Sequence, residues 1–109
     1  MKTQLTEEQS QHLIDLGVPK EKASIKQDIY GPALFTLTDL LEILPKEIEY
    51  NDSLYFLHIQ RLRFGIYSMK YENYSGEYLR SNFIHNKEFI DALYELTVWC
   101  IENKYIVEI

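Results

Sequence analysis

The sequence predicts an α+β fold: two helices, a three-stranded antiparallel meander, and a C-terminal helix packed on the sheet. Three observations predict it. From Asn86 to Lys104, NKEFIDALYELTVWCIENK places Phe89, Ala92, Leu93, Leu96, Trp99 and Cys100 at steps of three and four, one broad apolar stripe on a helix that needs a surface to cover. From Leu54 the texture changes to Tyr, Phe, Ile and Leu in quick succession, which suits strands. Two tripeptides ending in glycine, Arg63-Phe64-Gly65 and Tyr74-Ser75-Gly76, fit three-residue hairpin loops with glycine at the left-handed third position.

Each element has its own signal. Thr6-Glu7-Glu8-Gln9 has the form of a capping box and opens a first helix that runs to about Leu16, with Leu13 and Leu16 inward, Leu5 as a staple and Gly17 as the stop. Residues 18 to 35 hold no sustained period, and short extended pieces are expected near Ala23 to Lys26 and Ala33 to Phe35. Thr36, with Asp39 three residues on, caps a second helix that places Leu37, Leu40, Leu41 and Leu44 inside and ends at Pro45. Asn86 is the expected N-cap of the last helix and Asn103 its left-handed C-terminal residue.

The two loops set a register. Leu57 falls opposite Tyr71, Ile59 opposite Met69 and Arg61 opposite Tyr67 in the first hairpin. In the second, Asn73 falls opposite Glu77, which sets Tyr71 against Leu79, Met69 against Ser81 and Tyr67 against Phe83. Both registers agree on one apolar face of Leu57, Ile59, Tyr67, Met69, Tyr71, Leu79 and Phe83, the surface for the final helix. The opposite face collects Phe56, His58, Lys70, Tyr78 and Arg80, with Glu72 among them.

At 109 residues the chain makes one domain, residues 1 to 109. With 46% hydrophobic and 26% charged residues it folds around a core, and it holds no apolar run of membrane-spanning length. The opening MKTQLTEEQSQ has no hydrophobic signal segment, so the expected location is cytoplasmic. A net charge of -6 argues against general affinity for nucleic-acid backbone or anionic membrane. Only residues 54 to 80 carry a basic excess, of +2.

No catalytic constellation emerges, and no catalytic residue, metal ligand set or cofactor is expected. His12, His58 and His85 fall on different elements, CxxC and HExxH spacings are absent, and four glycines make no phosphate loop. Glu8 and His12, one turn apart, read as a solvated pair, and the single Cys100 as a small hydrophobe on the buried stripe. Trp99 reads as a core anchor. Asn73-Tyr74-Ser75 matches a glycosylation sequon but reads as turn chemistry. Of nine tyrosines, Tyr30, Tyr50, Tyr74 and Tyr78 are the ones expected at the surface.

Phe35 to Ile48, FTLTDLLEILPKEI, and Ala92 to Ile106, ALYELTVWCIENKYI, together resemble small uncharacterised proteins of phages and integrated mobile elements of gut bacteria. The resemblance implies a cytoplasmic accessory protein with no established activity, and it carries no functional residues over. The expected function is non-catalytic binding of a protein partner, with a homo-oligomer as the simplest case because an open sheet edge or face is readily paired with a copy of itself. The alternative is nucleic-acid binding through Phe56, His58, Lys70, Tyr78 and Arg80, cations interleaved with rings that stack bases.

Overall fold

In the computed structural model, the described residues are 2–26, 31–61, 63, 66–79, 84–86 and 88–106. The element order is α1 (Glu7–Asp15), β1 (Ile25–Lys26), β2 (Ala33–Leu34), α2 (Leu37–Ile43), β3 (Glu47–Tyr50), β4 (Ser53–Arg61), β5 (Tyr67–Glu72), β6 (Ile84–Asn86) and α3 (Phe89–Glu102). β1 and β2 form a two-stranded antiparallel ribbon, and β3-β4-β5-β6 form an antiparallel sheet in chain order. The fold is α+β, with α3 packed against the sheet at β5 and β6.

Local chemistry starts both short helices as expected. At α1, Gln9 N–H donates to Thr6 Oγ1 at 3.1 Å and Thr6 N–H donates to Gln9 Oε1 at 3.0 Å. Gly17, at φ 113°, takes the left-handed turn that ends it. At α2, Asp39 N–H donates to Thr36 Oγ1 at 3.2 Å and Thr36 N–H donates to Asp39 Oδ2 at 2.8 Å. Asp39 also accepts from Ser24, from its backbone N–H at 2.8 Å and from its hydroxyl. One buried carboxylate thus caps a helix and holds the segment leading into β1.

The core gathers Leu5, Leu13, Val18, Phe35, Leu40 and Leu44 from the N-terminal half with Met69, Tyr71, Ile90, Leu93 and Leu96 from the C-terminal half. Leu41, expected inside, is exposed: in the seven-residue α2 the buried Leu40 faces the core, and Leu41 points about 100° away from it. Leu16 is only partly buried.

The first hairpin has the expected register at every described pair, from Phe56 opposite Glu72 to Arg61 opposite Tyr67. The second agrees at its loop: Asn73 N–H donates to the Glu77 carbonyl at 2.8 Å, Leu79 N–H to the Tyr71 carbonyl at 3.1 Å, and Glu72 bridges Tyr78. Gly76 takes the left-handed position at φ 84°, and the Asn73 side chain accepts from Ser75 and Glu77 N–H, which is turn chemistry.

Beyond Leu79 the register differs. Met69 pairs with Ile84 and Tyr67 with Asn86, three residues later than Ser81 and Phe83. The register at Met69–Ile84 thus differs by three residues from the one at Tyr71–Leu79; Arg80, Ser81, Asn82 and Phe83 lie outside the described residues, as do Tyr30, Phe64 and Gly65.

Three other expectations are corrected. β3 is an added strand, joined to β4 through Asn51 at φ 49° and Asp52 at φ 62°, a two-residue turn with both residues left-handed. Asn86 belongs to β6, so α3 starts after Glu88, which makes no side-chain cap bond. At the other end Asn103 has φ -95° and the left-handed residue is Lys104, while the Asn103 amide donates back to the Trp99 carbonyl at 2.9 Å.

Trp99 is half-buried rather than enclosed, stacked between Tyr71 and Tyr105 with ring centroids 6.5 and 5.2 Å away. Ile59, on β4 and not beneath α3, stays 41% exposed.

Burial alone would raise the Asp39 carboxyl, but the hydrogen bonds from Ser24 and Thr36 outweigh it and hold its pKa below the ordinary 3.8. A carboxyl depressed on folding stabilises fully above that value and loses its contribution as pH falls through the folded pKa. We therefore expect Asp39→Asn to lower stability by about 1–3 kcal/mol at neutral pH, measured by urea unfolding, with the gap to wild type closing below about pH 4.

Candidate functional site

Alternation along the strands separates two faces. Ile48, Tyr55, Leu57, Met69 and Tyr71 turn toward the helices, so Glu47, Glu49, Leu54, Phe56, His58, Lys70 and Glu72 turn away from them. The molecule measures only 48 × 34 × 17 Å, the thickness of one helical layer on one sheet, and this outer face lies on the side opposite α3.

Four of the five expected site residues come together there. Phe56, Glu72 and Tyr78 form one cross-strand row, and His58 and Lys70 pair in the next. Glu72 links them: its Oε2 lies 3.4 Å from His58 Nδ1 and its Oε1 3.5 Å from Lys70 Nζ. Lys70 Nζ also sits 5.1 Å from the centroid of the Tyr78 ring. Arg80 lies outside the described residues. The Lys70–Glu72 pair contributes about 0–1 kcal/mol, and with His58 half-exposed these contacts do not lock the face.

Glu47, Glu49 and Leu54 of this face were not read from the sequence, whereas Tyr74 and Tyr78 were expected at the surface. Glu47 stands opposite Phe56 and Glu49 opposite Leu54, both exposed. Neither makes an ion pair among the described residues. Tyr74, 91% exposed, reaches back over Phe56 with ring centroids 5.2 Å apart. Leu54 and Tyr78 are exposed at 43% and 52%. The readable signal for the two acids was the alternation of Glu47-Ile48-Glu49 just before Asn51-Asp52, the pattern of a half-buried strand entering a two-residue turn.

One row past His58 the two strands differ: Gln60 on β4 is exposed, and Ser68 opposite it is not. Ser68 shares its parity but is buried at 1% exposure, and its hydroxyl has no hydrogen-bond partner among the described residues. What remains open is a shallow mixed surface: aromatic and aliphatic groups at the centre, carboxylates toward the β3 edge and cations on the opposite diagonal. Such a surface supplies contact area and charge pairing.

The remaining chemistry-bearing groups lie elsewhere. His12 joins Tyr94 through Nδ1 and the phenol oxygen at 2.5 Å, beside an open hollow of about 260 Å³ that also touches Glu95, Val98, Trp99 and Glu102. Glu8 and His12 share a shallow surface along α1 with Glu7 and Asp15, and no group of His, Cys, Asp and Glu suited to a metal ion occurs among the described residues.

Cys100 is fully buried on α3, where burial pushes its thiol up to about 12. Because the thiolate is the reacting form, Cys100 is expected to react with an aromatic disulfide reagent roughly a hundredfold or more slowly in the native protein than in urea, followed by absorbance.

No helix among the described residues is long and apolar enough to cross a membrane. Comparison with protein-family models, with curated proteins and with solved structures finds no match, so the functional reading rests on the outer face itself.

Proposed function

We propose that this chain is a non-catalytic binding module whose working surface is the outer sheet face and whose ligand is a protein. The setting that accompanies this reading is the cytoplasm, as an accessory protein of a phage or mobile element. The observation that carries it is the charge on the face. β3 adds Glu47 and Glu49 beside Phe56 and Leu54, which turns a patch of cations and rings into one where both signs flank an apolar centre. Mixed charge around exposed aromatics suits a protein surface, whereas a phosphate backbone would meet two carboxylates at the patch's edge.

The second reading, a nucleic-acid module, draws on His58 and Lys70 in one row with Phe56, Tyr74 and Tyr78 close by. Rings near cations are what base stacking uses. Glu72 sits between His58 and Lys70 and the protein carries a net charge of -6, both of which weaken it.

Light scattering with a single-stranded oligonucleotide separates the two. The expected outcome is a protein mass unchanged by oligonucleotide even at low salt. A gain in mass that disappears between about 50 and 200 mM salt, and again on Lys70→Glu, would establish the nucleic-acid reading instead.

A further inference from the structure

The register of the outer face has a symmetry that identifies a partner. Glu49 pairs with Leu54, two residues before Phe56 on β4, and Lys70 pairs with His58, two residues after it. Glu49 is one strand from Phe56 on the β3 side and Lys70 one strand away on the β5 side. The exposed acid and the cation therefore lie at equal and opposite diagonal positions about Phe56.

Resting on the reading of this face as a protein interface, we propose that its occupant is a second copy of the same chain, docked face to face about a two-fold axis through Phe56. Such an axis, lying between the sheets and across the Glu49–Lys70 diagonal, sets each Phe56, with the Tyr74 ring 5.2 Å from it, against its own copy. It carries Glu49 of one copy onto Lys70 of the other, and brings Glu47 nearest to the second copy's His58. Each contact occurs twice, as an isologous interface requires.

The strands of the two sheets then cross steeply, in the orthogonal class of sheet packing. Within each copy Glu72 lies 3.4 Å from His58 and 3.5 Å from Lys70, and in the docked pair a carboxylate from β3 of the other copy joins each cluster.

Charge reversal tests this pairing directly. Wild-type protein is expected to sediment as a dimer, and Glu49→Lys and Lys70→Glu are each expected to weaken it roughly tenfold or more, because each sets like charges together at both contacts. An equimolar mixture of the two variants is expected to recover the dimer, since one chain of each restores opposite charges at both sites. Circular dichroism of each variant confirms that it is folded, and recovery in the mixture excludes misfolding as the cause of the loss.

A wild-type monomer across the concentration range would overturn the second copy as occupant while leaving the protein-binding reading to the oligonucleotide experiment. A wild-type dimer indifferent to both variants, or a mixture no tighter than either variant alone, would overturn the proposed docking.

Discussion

Much of this structure depends on one buried phenol. Tyr71 is fully enclosed on β5, and a hydroxyl taken out of water without a partner costs about 1–3 kcal/mol. Its hydrogen bond to the Pro45 carbonyl at 2.7 Å removes that cost and fixes the point where α2 ends and the chain turns into β3. On its other side the ring stacks with Trp99 of α3. One side chain therefore sets the position of the last helix over the sheet and the point from which β3 enters it. Burial raises the Tyr71 hydroxyl far above the usual phenol value, so its proton stays in place for that bond through the physiological range.

The N-terminal half is attached by polar contacts that reach far along the chain. Lys2 and Gln9 both donate to Asp91 Oδ1 at 3.0 Å, which ties the opening segment and α1 to the first turn of α3. Leu5 N–H donates to the Phe35 carbonyl and Leu37 N–H to the Thr3 carbonyl, so the first residues run beside the entry to α2. Burial works against the Asp91 carboxylate, but the bonds from Gln9 and Lys2 prevail and hold its pKa low. Asp91 lies in the first turn of a helix that has no side-chain cap, where a negative charge also meets the helix dipole.

What could be read in the sequence was what local chemistry decides. Capping boxes at Thr6 and Thr36, the left-handed Gly17 and Gly76, and the six-pair register of β4 with β5 each depend on residues within a turn or a hairpin. Hidden from it was what depends on ladders continuing or on neighbours far along the chain. The three-residue shift between Leu79 and Ile84 leaves the loop chemistry at Asn73 to Glu77 unchanged, so no turn signal reports it. The β6 pairing then takes Asn86 away from the helix, and a residue suited to capping is used as a strand. β3 was obscured by composition: a strand of Glu47, Ile48, Glu49 and Tyr50 holds one buried side chain and two carboxylates, weak β-formers that suit an edge.

That omission matters most at the outer face. Read without β3, the face is a cationic patch with rings, and its chemistry points toward phosphates or acidic partners. Read with it, each Glu stands beside an apolar residue of β4, and the charges of both signs sit on opposite diagonals of one centre. The same two carboxylates also guard the free edge of β3, since charged side chains along an edge oppose the strand-to-strand pairing that an unpaired backbone invites. The same residues thus bear differently on the two modes of pairing: Glu47 and Glu49 discourage addition of a strand alongside β3, and in the proposed docking they are the acids that a partner laid across the sheet would meet. The exposed apolar area of this layer, Leu54 and Tyr78 on either side of Phe56, lies on the face rather than along the edge.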